Sequence, residues 1–211
     1  MSATAPATVL RFDGVTRVVH WATAALGLIV VGTGTILYVP ELSATIGMRA
    51  TLKEIHVIAG LLLVVPLVVG VASGHFGRRL RADLRELSRW TIADRRWLRR
   101  RTRGVPDGKF NGGQKLVTGV FSGLFVMQLL TGLLMFRPHA FPDAWRTGAT
   151  FVHDWAYIGL AIAVVGHIVK AVGEPELMQS MMGGTVPTEW AARERPSWRV
   201  TGEPSDRQAR R

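Results

Sequence analysis

The sequence predicts an all-α integral membrane protein, a four-helix bundle, and three observations carry that prediction. Crossing a bilayer as a helix takes about 20 apolar residues, and four stretches are long enough: residues 18–39, 54–74, 115–136 and 151–172. The chain is 48% hydrophobic yet has a formal charge of +11. Its Lys and Arg residues crowd into one connecting loop. Long uncharged runs beside an arginine-rich loop are the pattern of a multi-pass protein of the cell membrane rather than of a soluble domain. The same apolar runs argue against nucleic acid as the partner of the positive charge; lipid is the expected surrounding.

Residues 1–17 mix small residues with Arg11, Asp13 and Arg17. No apolar core followed by a small-residue cleavage site is seen there, so no signal peptide is read. The first span has no charge. The second contains Pro66, and a kink is tolerable if neighbouring helices cover the freed backbone groups. Between spans two and three, residues 78–115 hold 13 Lys and Arg, against Asp83, Glu86, Asp94 and Asp107. The other two loops hold only Arg49 and Lys53, and Arg137 and Arg146. The positive-inside rule puts the middle loop in the cytoplasm, and four spans then place both termini there. Within that loop, residues 78–90 read either as a surface helix with Leu80, Leu84, Leu87 and Trp90 turned inward, or as a solvated basic loop. Residues 1–172 form the membrane domain. Residues 173–211 form a cytoplasmic tail, expected to be partly irregular.

There is no cysteine. That excludes disulfides, thiolate metal sites and cysteine-ligated iron–sulfur clusters within this chain, and c-type haem attachment as well. A redox metal here must rest on the six histidines or on methionine.

The fourth span carries His153 and His167. Fourteen residues along a helix fall about 40° short of four turns and advance about 21 Å, so both rings leave one face at opposite membrane depths. Topology places the others. His20 begins span one on the inside, and His56 begins span two on the outside. The histidines therefore sort into an outer pair, His56 with His153, and an inner pair, His20 with His167. The topology was set without them. Ionisable residues at membrane depth are read as functional. Helical spacing from His20 gives Ala24, Gly27, Val31 and Gly34, and from His56 gives Gly60, Leu63, Leu67 and Gly70. Small residues there leave room for a flat macrocycle. Two imidazoles on opposite sides of an iron make a six-coordinate haem b, which transfers electrons and has no open site. The alternative is four histidines that are satisfied polar contacts. Zinc is disfavoured because each pair offers too few ligands. His75 and His139 sit at span ends and read as interfacial.

The chain resembles the cytochrome b gamma subunit of membrane-bound respiratory formate dehydrogenase. The likeness spans roughly residues 11–198. It rests on Arg17-Val18-Val19-His20-Trp21, on His56 at the head of span two, on Lys109-Phe110-Asn111-Gly112-Gly113-Gln114-Lys115 before span three, on Arg137-Pro138, and on His153 and His167 with their spacing. The resemblance implies two haem b groups, the outer held by His56 and His153 and the inner by His20 and His167. It implies partners too: an iron–sulfur beta subunit and a catalytic alpha subunit with molybdenum or tungsten outside the membrane. Electrons would pass through both haems to a quinone, menaquinone or ubiquinone, on the cytoplasmic side. Its pocket would fall on Asn111, Gly113 and Gln114, beside His167.

That pocket has its own chemical sense. Quinone reduction needs hydrogen-bond donors for two carbonyl oxygens, and Asn and Gln amides supply them. Glycines let a ring approach the backbone. Without the resemblance, residues 111–114 read first as a turn and helix cap, and the two readings are compatible. The four histidines do not separate a formate complex from a nickel–iron hydrogenase or thiosulfate reductase; only the Asn111–Lys115 stretch argues for formate. A four-span protein with no redox centre is the alternative of a different class.

Overall fold

The computed structural model describes residues 7–100, 108–136 and 139–198. Arg137 and Pro138 of the resemblance, Asp107 and the end of the tail lie outside the described residues. Four helical segments are long and apolar enough to cross a membrane: Gly14–Tyr38, Arg49–Ala72, Gly112–Phe136 and Asp143–Val172. The chain is a multi-pass membrane protein.

The chain opens with a short strand, β1 (Thr8–Leu10), and enters α1 (Gly14–Tyr38) at Asp13, whose carboxylate accepts from the Thr16 amide at 2.9 Å. This N-cap satisfies a donor that helix geometry leaves orphaned. A short connecting helix, α2 (Pro40–Ile46), ends at Gly47 with φ of 68°, a left-handed position that glycine adopts without strain. The second span is interrupted. It runs as α3 (Arg49–Leu62) and α4 (Val65–Ala72). The Pro66 ring collides with the carbonyl of the residue four positions back, which is Leu62, the last residue of α3.

Two helices fill the middle loop, α5 (Arg78–Ser88) and α6 (Ile92–Arg100), and both pack on α7 (Gly112–Phe136). The surface helix expected over residues 78–90 is present but ends at Ser88. Leu80 is buried and Leu84 and Leu87 are half-buried, but Trp90 is exposed. Arg89 is extended, at φ −96° and ψ 115°, and carries Trp90 off the helical face. Helix α8 (Asp143–Val172) begins eight residues before the expected position 151. Its first two turns carry Asp143, Arg146 and Thr147, which a hydropathy reading passes over. At about 1.5 Å per residue, such a helix outruns a hydrocarbon core of about 30 Å. The spans form a ring: α1 packs on α3, α4 and α8, and α7 packs on α8 and α3.

Within the tail, residues 175–194 form α9 (Pro175–Met182), β2 (Thr185–Pro187) and α10 (Thr188–Glu194). Strand β2 pairs antiparallel with β1, with Val9 opposite Val186. Val9, Val186, Trp190 and Ala191 bury a small core beneath the ribbon. The fold is all-α apart from these two three-residue strands.

The α4–α5 turn is the tightest point of the bundle. A methyl group on Gly77 would lie 2.1 Å from the Gly70 carbonyl oxygen, and that backbone atom has nowhere to move. Gly77→Ala is expected to destabilise the purified protein by about 1–3 kcal/mol, the range for overpacking. A thermal-unfolding midpoint equal to that of the unaltered protein would contradict this packing.

Candidate functional site

The structure brings the four membrane histidines together in two pairs. At the end of the bundle near α2, the His56 and His153 rings have centroids 6.2 Å apart, and at the opposite end His20 and His167 are also 6.2 Å apart. A metal–imidazole bond is about 2.0 Å and a ring nitrogen lies about 1.1 Å from its ring centre. Two imidazoles facing one ion therefore place their centres about 6.2 Å apart. Rings in direct edge or tilted contact also reach this separation; the same value recurs at both depths. Among the described residues no cluster of three or more His, Asp or Glu could hold an ion, so each pair would offer an ion two ligands.

Space around the pairs fits a flat group. Gly27 is buried, yet a methyl group built on it meets nothing within 4 Å, and the half-buried Gly60 is equally open. Gly34 lies beside the outer pair, where an added methyl would sit 3.3 Å from His56 Cε1; Gly70 serves packing instead, an added methyl there meeting Val19 and Leu80 at 2.5 and 2.8 Å. His75 and His139 are exposed, away from both pairs.

Sequence reading missed the groups that orient the first pair. Thr33 Oγ1 lies 3.0 Å from His56 Nδ1, and Thr131 Oγ1 lies 2.8 Å from His153 Nδ1. Each threonine hydroxyl already donates to the carbonyl one turn back, Ile29 or Met127, at 2.7 Å. A hydroxyl has one hydrogen, so toward each imidazole it accepts. The carbonyls of Val30 and Gln128 also accept from His56 and His153. The His56 ring therefore carries hydrogen on Nδ1 and presents the Nε2 lone pair to the gap, as a ligating histidine does. At His153 the Gln128 carboxamide also reaches Nδ1: with its NH2 turned to the His153 carbonyl at 3.1 Å, the same NH2 lies 3.1 Å from Nδ1. A threonine inside an apolar span, at the depth of a histidine, was the available signal.

At the other end, the Asn111–Gln114 stretch forms a reciprocal capping box at the start of α7. The Gln114 amide donates to Asn111 Oδ1 at 2.9 Å, and the Asn111 amide donates to Gln114 Oε1 at 3.1 Å. The expected helix cap is thus present. Both side-chain oxygens are engaged, so both NH2 groups remain as donors. Gln114 lies seven residues before Phe121, whose ring is 5.7 Å from that of His167. That is about two helical turns along nearly the same face.

Gly113 does not present open backbone. A methyl group there would lie 2.6 Å from Trp97 Cη2, and one on Gly112 would lie 2.7 Å from the Asp94 carbonyl. The glycines admit α6 to the start of α7, and the Trp97 indole walls Gly113.

Buried charges fasten this end. Lys115 pairs with Asp94 at 2.8 Å, and Lys109 with Asp83 at 2.5 Å. Arg11, 2% exposed, donates to the Lys109 carbonyl at 2.9 Å and lies against Trp190 and Trp198. Burial and the neighbouring Arg195 lower the Arg11 value to about 10. Burial raises Asp83 and lowers Lys109, each against the attraction of the other. Burial pushes Asp94 upward, but hydrogen bonds from Lys115 and from the Thr91 amide and hydroxyl outweigh it and hold the carboxyl below its ordinary value.

A four-span bundle with two facing histidine pairs, three of the four rings half-buried and His167 exposed, has the architecture of a membrane cytochrome b, a class that carries electrons. A model of the prokaryotic cytochrome b561 family matches residues 11–184, and the chain belongs to this family. The family implies haem b. The chain is 24% identical to the formate dehydrogenase cytochrome b556(fdo) subunit of Escherichia coli (strain K12), over 90% of this chain and 92% of that one. It is also 24% identical to the nitrate-inducible formate dehydrogenase cytochrome b556(Fdn) subunit of the same strain, over 90% and 89%. The formate dehydrogenase cytochrome b556 subunit of Haemophilus influenzae is 23% identical, over 90% and 82%.

The Asp94 carboxyl is depressed in the folded state, so its contribution is complete above the ordinary value of 3.8 and is lost as pH falls below that value. Asp94→Asn is expected to cost about 3–5 kcal/mol at pH 7, because it leaves Lys115 buried without its partner. Thermal unfolding measures both effects. The midpoints of the two proteins should converge below pH 3.8; equal midpoints at pH 7 would contradict the role of this pair.

Proposed function

We propose that the chain is the membrane-anchoring, quinone-reducing cytochrome b subunit of a formate dehydrogenase-type complex, with the middle loop and both termini in the cytoplasm. Residues 1–172 form the membrane unit and residues 173–211 its cytoplasmic tail. The chain would take electrons from an iron–sulfur partner of a molybdenum or tungsten catalytic subunit on the outer side. It would deliver them through two b haems to a quinone on the cytoplasmic side.

The observation that carries this reading is the repeated 6.2 Å gap between facing imidazoles. His56 and His153 would hold the outer haem, and His20 and His167 the inner. A bis-histidine haem b supplies one-electron transfer with no open coordination position. The chain's own work is to orient four imidazoles, to keep water from the apolar interior, and to receive the quinone. A quinone takes up two electrons and two protons. The free NH2 groups of Asn111 and Gln114 would donate to its carbonyl oxygens, with Trp97 and Gly113 as a wall. Protons are available from the aqueous side at this end of the bundle. The similarity to three formate dehydrogenase cytochrome subunits supports formate as the source of electrons.

His153→Ala is expected to lower the haem content, by pyridine haemochrome, from two per chain to one. Formate-to-quinone activity should be lost while formate oxidation by a soluble dye persists. Gln114→Ala should keep both haems and slow quinone reduction by about tenfold, the worth of one hydrogen bond of about 1–1.5 kcal/mol. Full turnover with unchanged inhibitor binding would contradict the pocket. Quinone reduction driven by hydrogen and not by formate would replace the donor.

A further inference from the structure

Resting on the haem reading above, we propose that Thr33 and Thr131 are positioning residues that hold the His56–His153 redox centre at a lower potential than the His20–His167 centre. Each threonine sits on a helix adjacent to the one bearing its histidine. Thr33 on α1 reaches His56 on α3, and Thr131 on α7 reaches His153 on α8. The hydroxyl hydrogens are already donated along their own helices, to Ile29 and Met127. Each hydroxyl oxygen can therefore only accept from Nδ1–H.

An imidazole that donates from Nδ1 gains partial imidazolate character and becomes a more basic ligand. A more basic ligand favours the oxidised, more positive metal, and hydrogen bonding to axial ligands is one of the levers on haem potential. Thr33 polarises His56 in this way, and Thr131 does the same to His153 where the Gln128 oxygen rather than its NH2 faces Nδ1. Among the described residues, no hydrogen bond reaches a ring nitrogen of His20 or His167. Their ring neighbours are the edges of Trp21 and Phe121. The difference acts in one direction. Electron flow from the His56–His153 end toward the His20–His167 end is downhill, and this chain's own side chains set the slope.

The test is a spectroelectrochemical titration of the α band in the intact complex. Two one-electron steps are expected. Thr33→Val and Thr131→Val keep the shape and remove the acceptor. Each should raise the lower step and leave the upper in place. Each hydrogen bond should change the oxidised-to-reduced ratio at a given potential by roughly 2- to 10-fold, the worth of about 0.5–1.5 kcal/mol. Thr33→Ser and Thr131→Ser, which restore the oxygen, should return the step to its original value. A lower step that does not move, or an upper step that moves instead, overturns the proposal. His20→Ala provides a separate arm that needs no threonine variant. The step it retains must be the lower one, and retention of the upper one overturns the proposal. Absence of any α band in the unaltered protein would refute the haem reading itself, an outcome distinct from these.

Discussion

The bundle is organised around a distance: two imidazoles held far enough apart for one ion, twice, at opposite ends of α8. A histidine in an apolar interior is costly unless its polar atoms are satisfied. For His56 and His153 that requirement determines the surrounding sequence. Thr33 and Thr131 satisfy Nδ1, and Gly34 gives the His56 ring its place. Tyr157, one turn beyond His153, donates to or accepts from Thr35 at 2.8 Å and joins α8 to α1. The ring of spans follows from these links, since each one ties a histidine-bearing helix to its neighbour.

The opposite end solves a different problem. There the chain must leave an apolar interior and fasten several loops. Buried ion pairs do this at a desolvation cost, and such pairs specify arrangement more reliably than they add stability. Lys115–Asp94 locks α6 to α7, and Lys109–Asp83 locks α5 to the segment before α7. The tail completes the fastening. The Met181 and Met182 carbonyls accept from Trp21 and Arg17, beside His20. The capping box at Asn111 and Gln114 is thereby held on a rigid base, with its two NH2 groups turned away from the backbone it caps.

Much of this was legible in the sequence where one dominant force decides. Hydropathy located the four spans, and helical arithmetic on His153 and His167 separated two depths. The alternating direction of successive spans separated His20 and His56 between those two depths. Legibility ended where the deciding contacts are long-range. Thr33 and Thr131 look like neutral span residues until the helix beside them is known. Asp94 and Trp97 read as part of a charged loop, because nothing local shows that Gly112 and Gly113 exist to receive them. The ribbon between residues 8–10 and 185–187 joins the two ends of the chain, a pairing no window of sequence contains. The start of α8 was missed for the opposite reason: its first turns are helical but polar.

The most direct test of the account is a haem count on the purified chain, by pyridine haemochrome, with the dithionite-reduced spectrum recorded alongside. Two b haems per chain and the sharp α band of low-spin, six-coordinate iron are the predicted result. A colourless protein, or one haem per chain with an open coordination position, would contradict it.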